Sequence, residues 1–222
     1  MKPPRLDARL RVVADCVPRC TLAADIGTDH GKLTAWLLYH GRCKRMIASD
    51  VSAASRAKAR ALFNHMGLSG RVTISKDEGL YALTDLTQVV IICGLGGRTM
   101  ADMLEQDVEL NKAMLILSPQ TQLPLVRDAL NRRAYRITKE LVVRADGRFY
   151  QIWKAIPGDM RLTEKERALG VNLTATSSAT PVDYLHWQLK VASSWQGAGA
   201  ATLKRWIEEK IADEAGDYSD SL

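Results

Sequence analysis

The sequence predicts an α/β fold: a doubly wound, Rossmann-like parallel sheet that ends in an antiparallel hairpin and is followed by a small helical domain. Three observations predict it. Short apolar runs alternate with stretches of helical periodicity in five successive β-α units. Asp146-Gly147 joins two alternating segments, which is a strong hairpin signal. After Pro157-Gly158 the pattern is helical, so we expect one domain over residues 1–157 and a helical, coiled-coil-like domain over 158–222.

The first part of the chain supplies three helices and three strands. Leu6, Leu10 and Val13 can share one face of a helix. Ser52 is suited to cap a later helix, which Gly67 ends. We expect helices over 6–17, 33–39 and 52–66, and strands over 21–25, 46–50 and 71–76.

The next part continues the alternation and then closes the sheet. Val89–Cys93 is almost wholly apolar, as expected for a central parallel strand that is covered on both faces. Ser118-Pro119 ends the strand that follows. We expect strands over 89–93, 113–117, 135–144 and 149–155, and helices over 98–104, 123–133, 162–169 and 182–211. The last helix should break near 197–199, and the polar Thr/Ser-rich segment 172–181 should connect the C-terminal helices.

Size and composition fit a globular protein in a reducing compartment. The chain has 222 residues, of which 46% are hydrophobic, so a substantial core can form. No apolar run reaches the ~20 residues of a membrane span, and the N-terminus lacks a signal-peptide pattern. The four cysteines show no zinc-like spacing and are expected to be free thiols. We therefore expect a cytoplasmic protein without a membrane anchor or a metal site.

The net charge of +6 is unevenly distributed along the chain. Residues 208–222 hold six acids and one base, so the remainder carries +11. Such an excess favours a polyanionic partner such as RNA, although solvated helix faces explain it about equally well. The basic residues form four groups: Arg5, Arg9, Arg11 and Arg19; Arg42, Lys44 and Arg45; Arg56, Lys58 and Arg60; and Arg132, Arg133, Arg136 and Lys139.

The turn from Asp25 to Gly31 is the most informative segment of the chain. It lies between a strand and a helix, at the sheet edge where α/β proteins bind ligands. Gly27 and Gly31 allow a ligand to approach the backbone closely, but their spacing is not the G-x-G-x-x-G of dinucleotide sites. Asp25 would repel a pyrophosphate and attract a cation. S-adenosyl-L-methionine carries an ammonium and a sulfonium, so it fits this turn better than NAD does.

Three further strand ends complete the expected cofactor site. Asp50 ends the second strand, where an acid can accept hydrogen bonds from both ribose hydroxyls; the alternative is an acid that caps the next helix. A side chain of Asp77-Glu78 could reach the N6 amino group of an adenine, although an ordinary polar turn is the alternative there. The glycine-rich turn after the fourth strand leaves room for the methionine moiety or the substrate. The expected cofactor-binding residues are Asp25, Gly27, Thr28, Gly31, Asp50, Val51, Asp77, Glu78, Gly94, Leu95 and Gly96.

The chain resembles one family at three motifs. It has D-I-G-T-D-H at residues 25–30, G-L-G-G at 94–97 and L-S-P-Q at 117–120. These are similar to the D-I-G-S-D-H, G-M-G-G and L-Q-P-N of the bacterial tRNA (adenine(22)-N1)-methyltransferases, the TrmK family. The resemblance covers residues 6–156 and extends more weakly to the C-terminal helices, which the family also has. Ser118 and Gln120 depart from the family pattern, as does Lys32-Leu33-Thr34, where the family usually has a proline.

This resemblance implies a class I methyltransferase that uses S-adenosyl-L-methionine to methylate N1 of adenine 22 in tRNA. Adenine N1 carries a lone pair, so orientation and nearby negative charge should matter more than a strong base. Asp29 is the expected source of that charge. His30 either positions the base or only supports the turn, and Gln120 offers an amide where the family has Asn. The expected catalytic residues are therefore Asp29, His30 and Gln120.

Three other functions remain open at this point. A small-molecule methyltransferase could use the C-terminal helices as a lid or a dimer contact, but the basic excess argues against it. A tRNA-binding homologue without catalysis is compatible with the changes at Ser118 and Gln120. An NAD-dependent dehydrogenase is disfavoured by Asp25 and by the glycine spacing. We expect tRNA as the partner, and the sequence leaves the oligomeric state open.

Overall fold

A computed structural model describes residues 2–219 of the chain, with side chains as far as residue 214. Its strands are β1 (Cys20–Ile26), β2 (Cys43–Ser49), β3 (Val72–Ser75), β4 (Val89–Cys93), β5 (Met114–Ser118), β6 (Tyr135–Ala145), β7 (Arg148–Pro157) and β8 (Leu173–Thr174). Its helices are α1 (Ala8–Cys16), α2 (Lys32–Tyr39), α3 (Ala53–His65), α4 (Gly97–Leu104), α5 (Leu123–Arg132), α6 (Glu164–Leu169), α7 (Pro181–Ala192) and α8 (Ala198–Ser219).

The strands form one mixed sheet in the order β3-β2-β1-β4-β5-β7-β6-β8. Strands β1 to β5 pair in parallel, whereas β7 runs antiparallel to both β5 and β6. The strand order changes direction between β1 and β4, and such a switch point opens a crevice at the carboxyl ends of the strands. The predicted doubly wound sheet with an antiparallel hairpin is confirmed.

The core lies on both faces of the central strands. Helices cover both faces of a parallel sheet, so its inner strands can be apolar at every position. On β4, Ile91 packs into one buried hydrophobic cluster, while Val90 and Ile92 pack into another. Helix α2 is buried from Leu33 to Leu38, which holds the turn before it against the sheet. The most informative turn of the sequence is therefore fixed by a rigid strand and a buried helix.

Most predicted elements lie within three residues of the observed ones, and Val89–Cys93 matches completely. Strand β2 begins earlier than expected because Cys43 pairs in register with Cys20 of β1. The expected long C-terminal helix is interrupted slightly before the predicted position. Helix α7 ends at Ala192, Gly197 has a positive φ of 97°, and Gly199 lies inside α8.

The polar segment between the C-terminal helices is more ordered than the sequence indicated. Its residues Leu173–Thr174 form the short strand β8, which pairs in parallel with β6. Beyond β8, Thr176 Oγ1 donates to the carbonyl of Val142 at 2.7 Å, and the Arg144 amide donates to Ser178 Oγ at 3.1 Å. The hydroxyl groups of this segment thus bind backbone groups along the outer edge of β6.

A buried polar group, which we call the junction cluster, joins this segment to the sheet. It consists of Arg127 on α5, Glu140 on β6 and Gln151 on β7. Arg127 Nη2 donates to Glu140 at 2.6 Å and to Gln151 at 3.1 Å. The other carboxylate oxygen of Glu140 accepts from the backbone amides of Val171 and Asn172. The helical segment is therefore anchored by a buried ion pair as well as by apolar packing.

Two features are absent from residues 2–219. None of the helices in that range is both long enough and apolar enough to cross a membrane. No set of three His, Cys, Asp or Glu side chains there is arranged to hold a metal ion.

Candidate functional site

A cavity of about 1220 Å³ opens at the carboxyl ends of β1, β2 and β4. Parallel strands end at the same edge of the sheet, so their turns converge there. Of the fourteen predicted site residues, twelve line this cavity. They are Asp25, Gly27, Thr28, Asp29, His30, Asp50, Val51, Asp77, Glu78, Gly94, Leu95 and Gln120.

Asp25 is the buried acid of the site, with only 4% of its surface exposed. Its Oδ2 accepts hydrogen bonds from Thr28 Oγ1 at 2.7 Å and Thr34 Oγ1 at 2.8 Å. Burial raises the pKa of the Asp25 carboxyl, and these hydroxyl groups offset part of the rise. Among the described residues, no Lys or Arg forms an ion pair with it. When ionised, the buried Asp25 carboxylate is therefore not compensated by a cation from the described residues, and a cationic ligand would stabilise it.

Asp50 accepts hydrogen bonds from two backbone amides and does not cap a helix. Its Oδ1 accepts from the Ser52 amide and its Oδ2 accepts from the Asp29 amide, both at 2.9 Å. The N-cap of α3 is Ser52, whose hydroxyl accepts from the Ser55 amide, so the helix-capping alternative for Asp50 is wrong. Each carboxylate oxygen keeps a free lone pair. Asp50 can therefore still accept hydrogen bonds from two hydroxyl groups of a ligand.

Asp29 and His30 lie together at the mouth of the cavity. Asp29 has a left-handed backbone with φ of 51°, and 70% of its side chain is exposed. His30 Nε2 lies 3.4 Å from Asp29 Oδ1 and 3.1 Å from Lys58 Nζ. In one tautomer Nε2 accepts from the Lys58 ammonium, and in the other it carries the hydrogen and faces the Asp29 carboxylate. A base entering the cavity would meet a carboxylate and an imidazole on the same wall.

The adenine end of the predicted site is lined by Val51, Asp77 and Glu78. Val51 is two-thirds exposed, although it is apolar. The Asp77 carboxylate accepts from Ser75 Oγ at 2.6 Å, and its carbonyl accepts from Ser49 Oγ. Glu78 has no such side-chain bond to another described residue. An exposed apolar side chain beside polar groups is a suitable surface for a nucleobase.

Two predicted cofactor residues do not line the cavity. Gly31 begins α2 with φ of 70°, and a Cβ at this position would lie 2.5 Å from the Phe63 ring. Gly96 lies against Thr121, whose Oγ1 would be 3.4 Å from an added Cβ. Gly31 thus allows the turn to pack closely against α3 behind the site. Contact of Gly31 and Gly96 with a cofactor stays a prediction.

The N-terminal segment contributes cavity residues that the sequence did not suggest. Residues 5–10 cover one side of the cavity, and Arg9 lies closest to the glycine-rich turn. The guanidinium carbon of Arg9 lies 5.1 Å from the centre of the Tyr150 ring. The sequence alone does not indicate that Arg9 faces the cavity, because its position is typical of any basic residue on an amphipathic helix. Thr99, Met103, Arg144, Ala145 and Asp146 also line the cavity.

The four basic groups do not act alike. Arg11 stacks on Trp36 at 4.7 Å, and Arg56 and Arg133 donate to backbone carbonyls. Other members are exposed and form no side-chain hydrogen bond, ion pair or cation–π contact with another described residue; these are Arg19, Lys44, Arg45, Arg60, Arg136 and Lys139. The basic excess therefore divides into side chains that stabilise the fold and side chains that face solvent.

Comparison with known proteins gives a consistent result. A family model described as a methyltransferase domain matches residues 6–153. The tRNA (adenine(22)-N(1))-methyltransferase of Bacillus subtilis is 27% identical over 158 residues, which are 70% of this chain and 66%, just under two thirds, of that enzyme. A protein of Mycoplasma pneumoniae described as a tRNA methyltransferase is 29% identical over 75% of this chain and 79% of its own length.

A solved structure agrees with the fold. It is that of a Streptococcus pneumoniae protein, described as a candidate tRNA (m1A22) methyltransferase, in complex with S-adenosyl-L-methionine. It has a TM-score of 0.81 and 25% identity, and the match covers 93% of this chain and all of that one. The resemblance that the sequence motifs indicated is thus confirmed by relatives of the same description.

Proposed function

This chain belongs to the methyltransferase-domain family, and from that premise we propose that it transfers a methyl group from S-adenosyl-L-methionine to N1 of an adenine in tRNA. The observation that carries the proposal is the convergence of Asp25, Asp50 and Asp29 on one cavity. Three carboxylates around an open cavity suit a cationic cofactor and a reaction that creates a cationic product. The names of the relatives favour adenine 22 as the target.

The residues present fit S-adenosyl-L-methionine. Asp50 keeps acceptor capacity for the two ribose hydroxyls, and Val51 and Glu78 offer a surface for the adenine. Asp25 provides the buried negative charge for the ammonium side of the methionine moiety. When bound, this cofactor supplies an activated methyl group. The protein itself needs to supply only binding, orientation and a suitable electrostatic environment.

Asp29 is the residue that we assign to the reacting base. Attack by N1 converts a neutral adenine into a cation, so a carboxylate at the cavity wall favours the transition state more than the ground state. His30 lies next to it and can hold the base edge by a hydrogen bond. Gln120, an exposed amide on the opposite turn, can contact the same base. N1 lies on the Watson–Crick edge, so the target nucleotide must be unpaired or flipped out.

The exposed basic side chains support tRNA as the substrate. Contacts to phosphates supply most of the affinity for nucleic acid and should make binding depend on salt. A bacterial cell keeps its tRNA in the cytoplasm, so the proposal implies a cytoplasmic location. Binding of a small-molecule substrate would not require this surface charge.

Incubation with an unmodified tRNA transcript and labelled S-adenosyl-L-methionine tests the proposal. We expect N1-methyladenine in the digested product, at position 22. Asp29→Asn should lower the turnover rate roughly ten- to hundred-fold while it leaves the affinity for S-adenosylhomocysteine unchanged. Asparagine is preferred to alanine because it tolerates the left-handed backbone at this position. Asp213→Asn, an exposed carboxylate on α8, is the matched control.

Two further outcomes would distinguish the alternatives. Asp50→Ala should abolish binding of S-adenosylhomocysteine in calorimetry, since the ribose loses its acceptor. If the wild-type protein binds S-adenosylhomocysteine but methylates no tRNA, the tRNA proposal is wrong. If it binds tRNA and S-adenosylhomocysteine without turnover, it is a binding homologue and not an enzyme.

A further inference from the structure

Two cysteines meet at the amino-terminal edge of the sheet, opposite the cavity. Cys20 is the first residue of β1 and Cys43 is the first residue of β2, and the two are register partners in these parallel strands. Both are free thiols, and their Sγ atoms lie 3.2 Å apart. Among the described residues, this is the only hydrogen bond between two cysteine side chains.

The backbone at both positions already suits a disulfide. Neighbouring strands lie about 4.8 Å apart, which falls within the roughly 4.4–6.8 Å that separates the Cα atoms of bridged cysteines. The Cys20 amide donates to the Arg42 carbonyl at 3.0 Å, and Arg71 Nη2 donates to the Cys43 carbonyl at 2.9 Å. These bonds fix the two backbones, so the sulfur atoms need to approach by only about 1 Å to reach bonding distance.

Cys20 has the properties of an attacking thiol. It is partly exposed, whereas Cys43 is buried behind it. The hydrogen bond with Cys43 lowers the pKa of the Cys20 thiol, and the thiolate is the form that attacks. Burial raises the pKa of the Cys16 and Cys93 thiols. An oxidant should therefore react first with Cys20, which has a second thiol within reach.

We propose that Cys20 and Cys43 are a redox modification site that closes to a disulfide when a low-molecular-weight disulfide is the oxidant. The Cys20 thiolate attacks one sulfur of the oxidant, which breaks the S–S bond of the oxidant and releases one thiolate. The Cys43 sulfur then attacks Sγ of Cys20, and the second small thiolate leaves. The proton of each cysteine ends on a released thiolate. The protein dithiol thus loses two electrons, and the oxidant is reduced to two thiols.

The disulfide would stabilise the strands that carry the candidate site. It closes a loop over residues 21–42, which contains the turn from Asp25 to Gly31 and the whole of α2. A cross-link restricts the unfolded chain, so the oxidised protein should be more stable than the reduced one. The disulfide also protects both sulfur atoms from irreversible oxidation to sulfonic acids. This modification goes beyond the proposed function and does not depend on it.

Oxidation of the reduced full-length protein with oxidised glutathione tests the proposal. After unfolding and alkylation with iodoacetamide, the reduced protein should carry an alkyl group on each of its four cysteines. The oxidised protein should carry alkyl groups only at Cys16 and Cys93, and mass spectrometry should find Cys20 joined to Cys43. It should melt roughly 5–10 °C above the reduced protein. Dithiothreitol should reverse both changes.

Three variants test the order of the two steps. Cys43→Ser should retain glutathione on Cys20, because no second thiol is left to displace it. Cys20→Ser should form no disulfide, and this partly exposed position provides the test if Cys43→Ser does not fold. Cys16→Ser, which changes another partly exposed cysteine, is the matched control and should oxidise as the wild type does.

Four results would each overturn the proposal. They are full alkylation of the wild type after oxidation, glutathione that stays on Cys20 of the wild type, a disulfide that involves Cys16 or Cys93, and a melting temperature that does not rise on oxidation.

Discussion

Two carboxylates, Asp25 and Glu140, are buried to the same degree but in opposite circumstances. Asp25 has 4% of its surface exposed and Glu140 has 3%. Glu140 is paired with Arg127 and also accepts two backbone amides. Within the described part of the chain, the side-chain partners of Asp25 are two hydroxyl groups, and no Lys or Arg pairs with it. Burial alone therefore does not distinguish a functional acid from a structural one.

The two carboxylates differ in whether a cationic side chain of the protein compensates their negative charge. In the junction cluster the cation belongs to the protein, so the ion pair forms when the chain folds. At the cavity no described Lys or Arg pairs with Asp25, and in the proposed function a cationic ligand supplies that charge. An acid that is buried without a cation is therefore the better candidate for ligand binding.

Glu140→Gln should have the largest effect on stability. It keeps the shape of the side chain but leaves Arg127 buried without its counter-charge, which costs roughly 3–5 kcal/mol. We expect a large fall in the free energy of unfolding in urea, with unchanged affinity for S-adenosylhomocysteine per folded molecule. Glu105→Gln, at the exposed pair with Arg132, is the control and should cost less than about 1 kcal/mol. If Glu140→Gln lowers the free energy of unfolding no more than Glu105→Gln does, the contrast between Glu140 and Asp25 is wrong.

Asp25→Asn should have an intermediate effect of opposite sign. The raised pKa of Asp25 means that its ionised form destabilises the folded state at neutral pH, so the neutral amide should stabilise the unliganded protein by roughly 1–3 kcal/mol. This gain should shrink as the pH falls through the folded-state pKa, because the wild-type carboxyl then becomes neutral too. Thermal melting at neutral and at mildly acidic pH measures it.

The same variant should bind S-adenosylhomocysteine at least roughly tenfold more weakly. A stabilised Asp25→Asn protein with weakened binding would sharpen the contrast with Glu140. A destabilised variant would show that Asp25 is a structural acid like Glu140, and the comparison would fail.

Asp128→Asn should have the smallest effect. Asp128 accepts two hydrogen bonds from Arg167 at 2.6 Å, and this contact lowers the pKa of the Asp128 carboxyl. The pair is partly exposed, so we expect a loss of about 0.5–1 kcal/mol at neutral pH. The loss should begin to shrink below the unfolded-state pKa of an aspartate and should disappear as the pH falls through the lowered folded-state pKa, because the ionised form is the stabilising one. A difference from wild type that persists in acid would point to packing instead of charge.

Local signals allowed most of the fold to be predicted. The apolar run of β4, the turn at Asp146-Gly147 and the cap at Ser52 each depend on a few adjacent residues. The turn from Asp25 to Gly31 was recognisable for the same reason. Strand β8 was missed because two residues carry no periodicity, and its pairing with β6 depends on tertiary contacts.

Side-chain orientation was the part that the sequence could not supply. Arg127 lies in an amphipathic helix, and its partners Glu140 and Gln151 are 13 and 24 residues away. Arg9 looks like its neighbour Arg11, yet the two side chains stack on different aromatic rings on different sides of α1. Whether a charge faces solvent, a partner or a cavity is decided by residues distant in the chain.

The short strand β8 has a consequence for the solubility of fragments. Together with Thr176 and Ser178 it occupies the outer edge of β6, which would otherwise present free amides and carbonyls along part of its length. Uncovered strand edges recruit other strands and lead to aggregation. A fragment that ends after Pro157 would keep the whole cavity but expose this edge. The C-terminal segment thus acts on the sheet as a cover against self-association, whatever it contributes to RNA binding.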